Sequence, residues 1–397
     1  MTELFRTLIN FSERAGEIAR SIRKEPTLFS LLVEEKGEEE KNIKFAQDFK
    51  TLSDVLIQEA LRHHIEQMYP SLGPHVHGEE SAEFTNTLGE NITVRVCETQ
   101  EQTANLLAKV LDGNMEAASL LAAVVHSEVT AQIDEELIAK IPELPVDNLG
   151  IWIDPIDSTA EYVKGNNGNE EGGLFHSGLP CVTVLIGLFH RDTGLPIGGV
   201  VNQPFANYCQ EKTKWVGEVF WGASYNSSNV FSLPTLSVGK GSTSDKPLVI
   251  LSSSEDKSLQ EELSKSFQVF YSTGAGYKGL SVVMGMAAAY LCTKGSTYRW
   301  DTCAPHSILL AQGGGIVNLQ LIKKHTDDQC ITKEDLESCQ IRYHQVNPGA
   351  TAANKLWNNN EGFIAYQDPQ LLTNLLQAIK DPPQEPPSLP APERLFF

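Results

Sequence analysis

The chain has 397 residues, 41% of them hydrophobic, which suits one large core or two domains and excludes a disordered chain. A formal net charge of −20 excludes nucleic acid and an anionic membrane as general partners, so an anionic substrate would have to be met by local cations. Seven scattered cysteines with no CxxC spacing point to reduced thiols in the cytoplasm, and no signal peptide or apolar run of membrane length is read.

Residues 3–23 carry Leu4, Phe5, Leu8, Phe11, Ala15, Ile18, Ala19 and Ile22 at helical spacing, which predicts an amphipathic helix docked on a core. The charged run 34–41 reads as a solvated loop. A second helix is expected from Thr51-Leu52-Ser53-Asp54 to about Met68. Ser53 would cap it, and Asp54 would suit the positive end of its dipole. Gly73 and Pro74 mark a loop before His77-Gly78-Glu79-Glu80, a pair of glutamates that alone reads as solvated. Residues 98–148 read as helices rich in Ala and Leu.

Residues 149–153 alternate into a buried strand that is expected to end at Asp154, because Pro155 fixes φ and removes a donor. Asp157 follows the turn, so two carboxylates stand at the carboxyl end of a strand, where α/β proteins place their chemistry. Ser158 and Thr159 then open a helix with hydroxyls and backbone N–H groups that an anion could use. A turn with two solvated acids and a cap is the plainer alternative. Residues 166–173 form a polar, glycine-rich loop. Strands are expected over 181–189, 197–202, 218–223, 248–251 and 268–271, either as a second sheet or as a meander joined to the first. Ser272-Thr273-Gly274-Ala275-Gly276-Tyr277-Lys278 reads as a small-residue turn into a helix over about 280–291, able to cradle a phosphate with Lys278 adding charge. Tyr298-Arg299-Trp300-Asp301 reads as a short strand ending in an acid. Thr302 would cap the next helix, with Pro305 in its first turn and Gly313-Gly314-Gly315 at its end. Residues 316–319 and 363–366 are late strands, and 381–397, with six prolines, read as an extended or disordered tail.

Glu79, Glu80, Asp154, Asp157 and Asp301 stand without a histidine or cysteine pattern beside them. Hard oxygen donors of this kind suit Mg²⁺ rather than zinc. Two or three such ions, about 3.5–4 Å apart where a pair acts together, make a clamp for phosphoryl transfer. They would also let an acidic protein receive a phosphate.

Asp154-Pro155-Ile156-Asp157-Ser158-Thr159 resembles the DPIDxT or DPLDGT signature of the lithium-sensitive, magnesium-dependent phosphatases. Trp300-Asp301-Thr302-Cys303-Ala304 through Gly313-Gly314 resembles their WDxxA…GG signature, Gly78-Glu79-Glu80 their GEE, and Asp54 the acid of their TxxD helix. The superfamily includes inositol monophosphatases, fructose-1,6-bisphosphatases, bisphosphate nucleotidases and the phosphatases of inositol polyphosphates. The last branch is the nearest resemblance. Its marks are Ser158 where most relatives have glycine, Lys50-Thr51-Leu52-Ser53-Asp54, the turn Gly274-Ala275-Gly276-Tyr277-Lys278, and Cys303.

The resemblance implies an α/β (α+β) fold, a layered α/β/α/β/α sandwich of two halves. Residues 1–245 would hold the first large sheet and most metal-binding acids. Residues 246–380 would hold the substrate-binding turn and the last metal ligand, ahead of the proline-rich tail. One Mg²⁺ would be held by Glu79, Asp154 and the Ile156 carbonyl, and a second by Asp154, Asp157 and Asp301, with Glu80 and Asp54 bordering the cluster. Catalysis would fall to Asp54, Glu79 and Thr159, with Thr159, polarised by Asp54, positioning the attacking water. Li⁺ would inhibit by taking a magnesium site. The implied substrates are inositol 1,4-bisphosphate and inositol 1,3,4-trisphosphate, losing the 1-phosphate. Contacts would come from Ser158, Thr159, Ser254, Lys257, Gly274, Ala275, Lys278 and Ser296. In an ungapped register the family's lysine after the Ser254 position falls at Asp256, with Lys257 next to it. Two alternatives stay open: a bisphosphate nucleotidase or sugar phosphatase of the same superfamily, and a catalytically dead relative that only binds phosphates. A monomer is expected, and the tail's partner is left open.

Overall fold

The computed structural model describes residues 2–24, 33–37, 42, 49–232, 245–325 and 331–379, so the proline-rich tail and most of the charged run lie outside the described residues. The larger sheet contains β1 (Val76–Gly78), β2 (Leu149–Asp157), β3 (Thr183–His190), β4 (Pro196–Cys209), β5 (Lys214–Tyr225) and β6 (Ser228–Phe231), side by side in chain order. β1 and β2 run parallel, and the rest is an antiparallel meander. The second sheet is built from β7 (Leu248–Leu251), β8 (Gln268–Tyr271), β9 (Ala289–Cys292), β10 (Gly315–Asn318) and β11 (Phe363–Tyr366), in the order β8-β7-β9-β11-β10. The segments up to residue 231 therefore extend the first sheet, and the second begins at Leu248.

Helices complete the layers. α1 (Thr2–Arg23) and α2 (Leu52–Met68) cover the outer face of the first sheet, with α3 (Gln100–Val110) and α4 (Met115–His126) beside them. α5 (Thr159–Lys164) follows β2 at once. The longer of the later helices include α6 (Lys257–Ser266), α7 (Ala275–Val283), α8 (Arg299–Ala311) and α9 (Pro369–Ala378). α7 and α8 lie between the sheets, and α6 and α9 cover the far face of the second. The order of layers is α/β/α/β/α, as the resemblance implies. No helix among the described residues is long and apolar enough to cross a membrane.

Period-two patterning sorts side chains between the cores. Ile151 and Ile153 of β2 join the core under α1 and α2, while Trp152 joins the core between the sheets. In β7, Ile250 faces that middle core and Val249 and Leu251 face the outer one. α8 is seated by three glycines in one cross-strand row, since Gly199 pairs with Gly187 on one side and Gly222 on the other. A Cβ at Gly199 would lie 2.1 Å from the Ala304 carbonyl oxygen, and one at Gly187 would lie 2.5 Å from the Cys303 Cβ. The helix therefore rests on bare backbone.

Several local expectations are corrected. β2 does not stop at Asp154 but continues through Asp157. The helix expected over about 280–291 is α7, which starts at Ala275 and ends at Val283; Gly285 then takes φ +69°, and Ala289 enters β9 between Val249 and Tyr366. Pairing inside a sheet overrides the helical preference of the alanines there. Residues 298–301 are not a strand: Tyr298 is extended and bridges Asn358, and α8 begins at Arg299, which puts Pro305 in the second turn. Thr51, not Ser53, stands at the N-cap of α2, and the Ser53 hydroxyl meets the Tyr162 hydroxyl at 2.8 Å.

The glycine row makes a measurable claim. Gly199→Ala is expected to destabilise the fold by about 1–3 kcal/mol through overpacking, read as a lower denaturant midpoint. Leu88→Ala, at a side chain 72% exposed, is expected to leave the midpoint unchanged. An unshifted Gly199→Ala midpoint would show that α8 can lift off the sheet freely.

Candidate active site

The site starts from an irregularity in β2. Asp154 pairs with Leu185 and Asp157 with Thr183, so three steps on β2 match two on β3. On a regular strand, side chains three apart point to opposite faces. The one extra residue is a bulge, and it returns Asp157 to the face of Asp154. Pro155 sits inside the bulge, where no ladder donor is required. Ser158 then adopts φ +71°, a left-handed conformation that favours glycine, and turns the chain into α5.

Asp301 arrives from α8. It is the third residue of that helix, and its Oδ2 accepts the Tyr298 N–H at 2.5 Å. Asp54 holds the same position in α2, where its Oδ2 accepts the Thr51 N–H at 2.7 Å and the Thr51 hydroxyl at 2.5 Å. Each acid thus caps its own helix by accepting the backbone N–H of the N-cap residue. Asp154, Asp157 and Asp301 each offer an oxygen within 4.8 Å of the others, and all three are buried. Asp157 is braced by the start of α7: Ala275 N–H donates to Oδ1 at 3.1 Å and Gly276 N–H to Oδ2 at 2.9 Å. Those two N–H groups, read from the sequence as part of a phosphate cradle, are given to a carboxylate instead. The Asp154 Oδ1 is buried without a hydrogen-bond partner among the described residues.

Burial pushes every acid of the group upward. Asp154 and Asp301 lie well above the usual carboxylate range, through burial first and then through Glu79 and Asp157, with Asp301 adding to the rise of Asp154. Asp157 is raised by burial despite Lys278 and the α7 N–H groups. Burial carries Asp54 to about 7 and Glu80 to about 8, against the opposing pull of Lys36. Glu79 and Glu80 follow β1, and the Lys36 ammonium stands 2.6 Å from a carboxylate oxygen of each. Gln58, one turn after Asp54 on α2, clamps this segment: its Nε2 donates to the Glu80 carbonyl at 2.5 Å and its Oε1 accepts the Glu80 N–H at 3.0 Å. A Cβ at Gly78 would sit 1.9 Å from that Oε1.

These acids floor a cleft of about 340 Å³. Glu79, Asp154, Ile156, Asp157, Ser158 and Thr159 line it from the first half of the chain. Gly274, Ala275, Lys278, Ser296 and Asp301 line it from the second. Asp54 and Glu80 are buried behind that wall. Ser254 and Lys257 are exposed outside the lining, which takes Ser252 and Ser253 from the same loop. The Thr159 hydroxyl donates to the Ile156 carbonyl at 3.0 Å. Lys278 is 3% exposed, and its ammonium donates to the Gly274 carbonyl at 2.7 Å and the Ser272 carbonyl at 3.3 Å. Lys36, Gln58 and Lys164 were not singled out from the sequence. Lys36 lies in a charged run without periodicity, and the only signal for Gln58 was its spacing of four from Asp54.

The profile of the inositol monophosphatase family matches residues 73–366. The chain is 44% identical to inositol polyphosphate 1-phosphatase of Mus musculus over 96% of this chain and 97% of that protein, and 42% identical to that of Homo sapiens over the same shares. It is 33% identical to 3'(2'),5'-bisphosphate nucleotidase 1 of Dictyostelium discoideum over 47% of this chain and 58% of that protein. Among solved structures, an IMPase from Thermotoga maritima superposes with a TM-score of 0.51 at 12% identity, covering 95% of this chain and 96% of that one, which is a likeness of fold. Sequence and fold together place this chain in the inositol monophosphatase family, as a phosphatase of that superfamily.

Proposed function

We propose that the protein is a magnesium-dependent phosphatase that removes the 1-phosphate of inositol 1,4-bisphosphate and inositol 1,3,4-trisphosphate and is inhibited by Li⁺. The observation that carries the metal is the buried group of Asp154, Asp157 and Asp301, with one Asp154 oxygen left without a donor. An all-oxygen donor set fits Mg²⁺. Glu79, Asp154 and the Ile156 carbonyl would hold one ion, and Asp154, Asp157 and Asp301 another. Bound Mg²⁺ supplies charge neutralisation at the phosphoryl oxygens and an acidified water. The chain's own groups do the rest. Thr159 would orient the attacking water at the cleft wall. Asp54, whose carboxyl burial raises in the metal-free protein, would polarise Thr159 and take up a proton. The relatives at 42–44% identity over nearly the whole chain support the polyphosphate substrate over a nucleotide. The six described cysteines are free thiols, which supports placing the protein in a reducing compartment such as the cytoplasm.

Asp154→Asn is expected to abolish turnover and to weaken Mg²⁺ binding in a calorimetric titration. Full activity in EDTA, or an unimpaired variant, would rule out this centre. Asp54→Asn, which keeps an acceptor for the Thr51 cap, is expected to hold KM and to lose about 10²–10⁴-fold in kcat. A raised KM at unchanged kcat would move Asp54 from proton handling to substrate binding.

Stability should report the same acids. Carboxyls held at about 7 and about 8 when folded favour the protonated form, so their contribution is complete below the unfolded carboxylate range and is lost as pH rises through those values. In EDTA the melting temperature is expected to fall between about pH 5 and about pH 8, and Mg²⁺ is expected to flatten the slope. Parallel curves with and without metal would contradict a cation site among these groups.

A further inference from the structure

The inference rests on the polyphosphate reading. Ions among the acids can serve only the phosphate being cleaved, and a second phosphate on the same ring needs a cation of its own. The lysines around the cleft differ in what holds them. Lys36 is fixed between Glu79 and Glu80. Lys278 is turned to two carbonyls beneath the surface. Lys164 is 58% exposed, but its partner Glu161 is only 6% exposed, and drawing the ammonium away would leave that buried carboxylate with the Gly178 N–H and no charge partner.

Lys294 is placed differently. It lies on the turn after β9, two residues before Ser296 of the cleft wall. Its Nζ donates to the Ser254 carbonyl at 2.5 Å, next to Ser253 of the opposite lining segment, and stands 3.1 Å from Asp256 Oδ1. The two loops are bolted together beneath it. Glu255, buried, accepts the Thr293 N–H at 3.1 Å and the Thr293 hydroxyl. The backbone that carries Lys294 is therefore fixed while its side chain is 42% exposed and that of its tether Asp256 is 71% exposed. An exposed pair of this kind is weak and readily exchanged for a phosphate dianion. A lysine ammonium has three donors, so it can keep the Ser254 carbonyl while it turns. Lys257, beginning α6, is exposed and is not part of the cleft lining among the described residues.

We propose that Lys294 is the specificity-determining cation for the substrate's second phosphate, held at the rim by Asp256 until the substrate replaces it. In an ungapped register the position of the family's lysine is the one that carries the tether, and the ammonium would come from the neighbouring loop.

The test is kcat/KM for inositol 1,4-bisphosphate and for inositol 1-phosphate across a set of variants, with melting temperatures to confirm folding. Lys294→Ala is expected to lower the bisphosphate value on the order of tenfold, mainly through KM, with the monophosphate value unchanged. Lys294→Arg is expected to keep the preference. Asp256→Ala, which releases the ammonium without removing it, is expected to keep or raise it. Exchanging the pair, Asp256→Lys with Lys294→Asp, is expected to restore most of what Lys294→Ala loses. Equal losses on both substrates, or a loss in Asp256→Ala as large as in Lys294→Ala, would reduce the pair to a loop brace and overturn the assignment. A wild type that prefers the bisphosphate and a Lys294→Ala that keeps that preference would overturn it alone. A wild type with no preference would overturn the polyphosphate reading itself, and this inference with it.

Discussion

Three carboxylates whose oxygens lie within 4.8 Å of one another in a buried site cannot all stay ionised without a cation among them. The surrounding structure serves to hold them there. The bulge in β2 puts Asp157 beside Asp154, at the cost of a kinked ladder and a serine in a left-handed conformation. The glycine row lowers α8 onto the sheet, which brings Asp301 across from the other half of the chain. The start of α7 steadies Asp157 with two N–H groups, and Gln58 fixes the Glu79-Glu80 segment against α2. Each feature is locally unfavourable or sterically exacting, and each makes sense only together with the others.

The net charge of −20 takes on a different meaning beside this centre. The buried cations near the cleft are already engaged by the protein: Lys36 by two glutamates, Lys278 by carbonyls with Asp157 and Asp301 near by. They temper the repulsion of the acids rather than reach for a ligand. On the proposed function, attraction of an anionic substrate would therefore rest on bound metal and on rim residues, where solvent keeps an ammonium mobile.

Much of this was legible in the sequence because its signals are local. The alternation through Ile151, Trp152 and Ile153, the run of apolar positions in α1, and the acids of the four motifs all sit within short windows. What was not legible depends on partners far along the chain. Pro155 reads as the end of a strand until β3 pairs with both sides of the bulge. The alanines before Tyr290 read as helix until Val249 and Tyr366 flank Ala289. The start of α8 was misplaced because Tyr298 is drawn into a bridge with Asn358. The contact of Lys36 with the glutamates, like the two N–H groups that Asp157 claims, is a tertiary pairing with no periodicity to announce it.

On the proposed reading, Asp54 and Asp301 have a double employment that bears on how such a chain can change over time. Each closes the first turn of its own helix, and both helices bury one face in a core. Losing such a cap costs about 1 kcal/mol in a fold whose whole margin is small. A descendant freed from catalysis would still be selected to keep both acids, or to trade them only for another acceptor such as asparagine. Persistence of these two positions across a lineage would then record the need to start two helices. Drift at Asp154, which caps nothing and has an oxygen without a donor, would be the earlier sign that the chemistry had been abandoned.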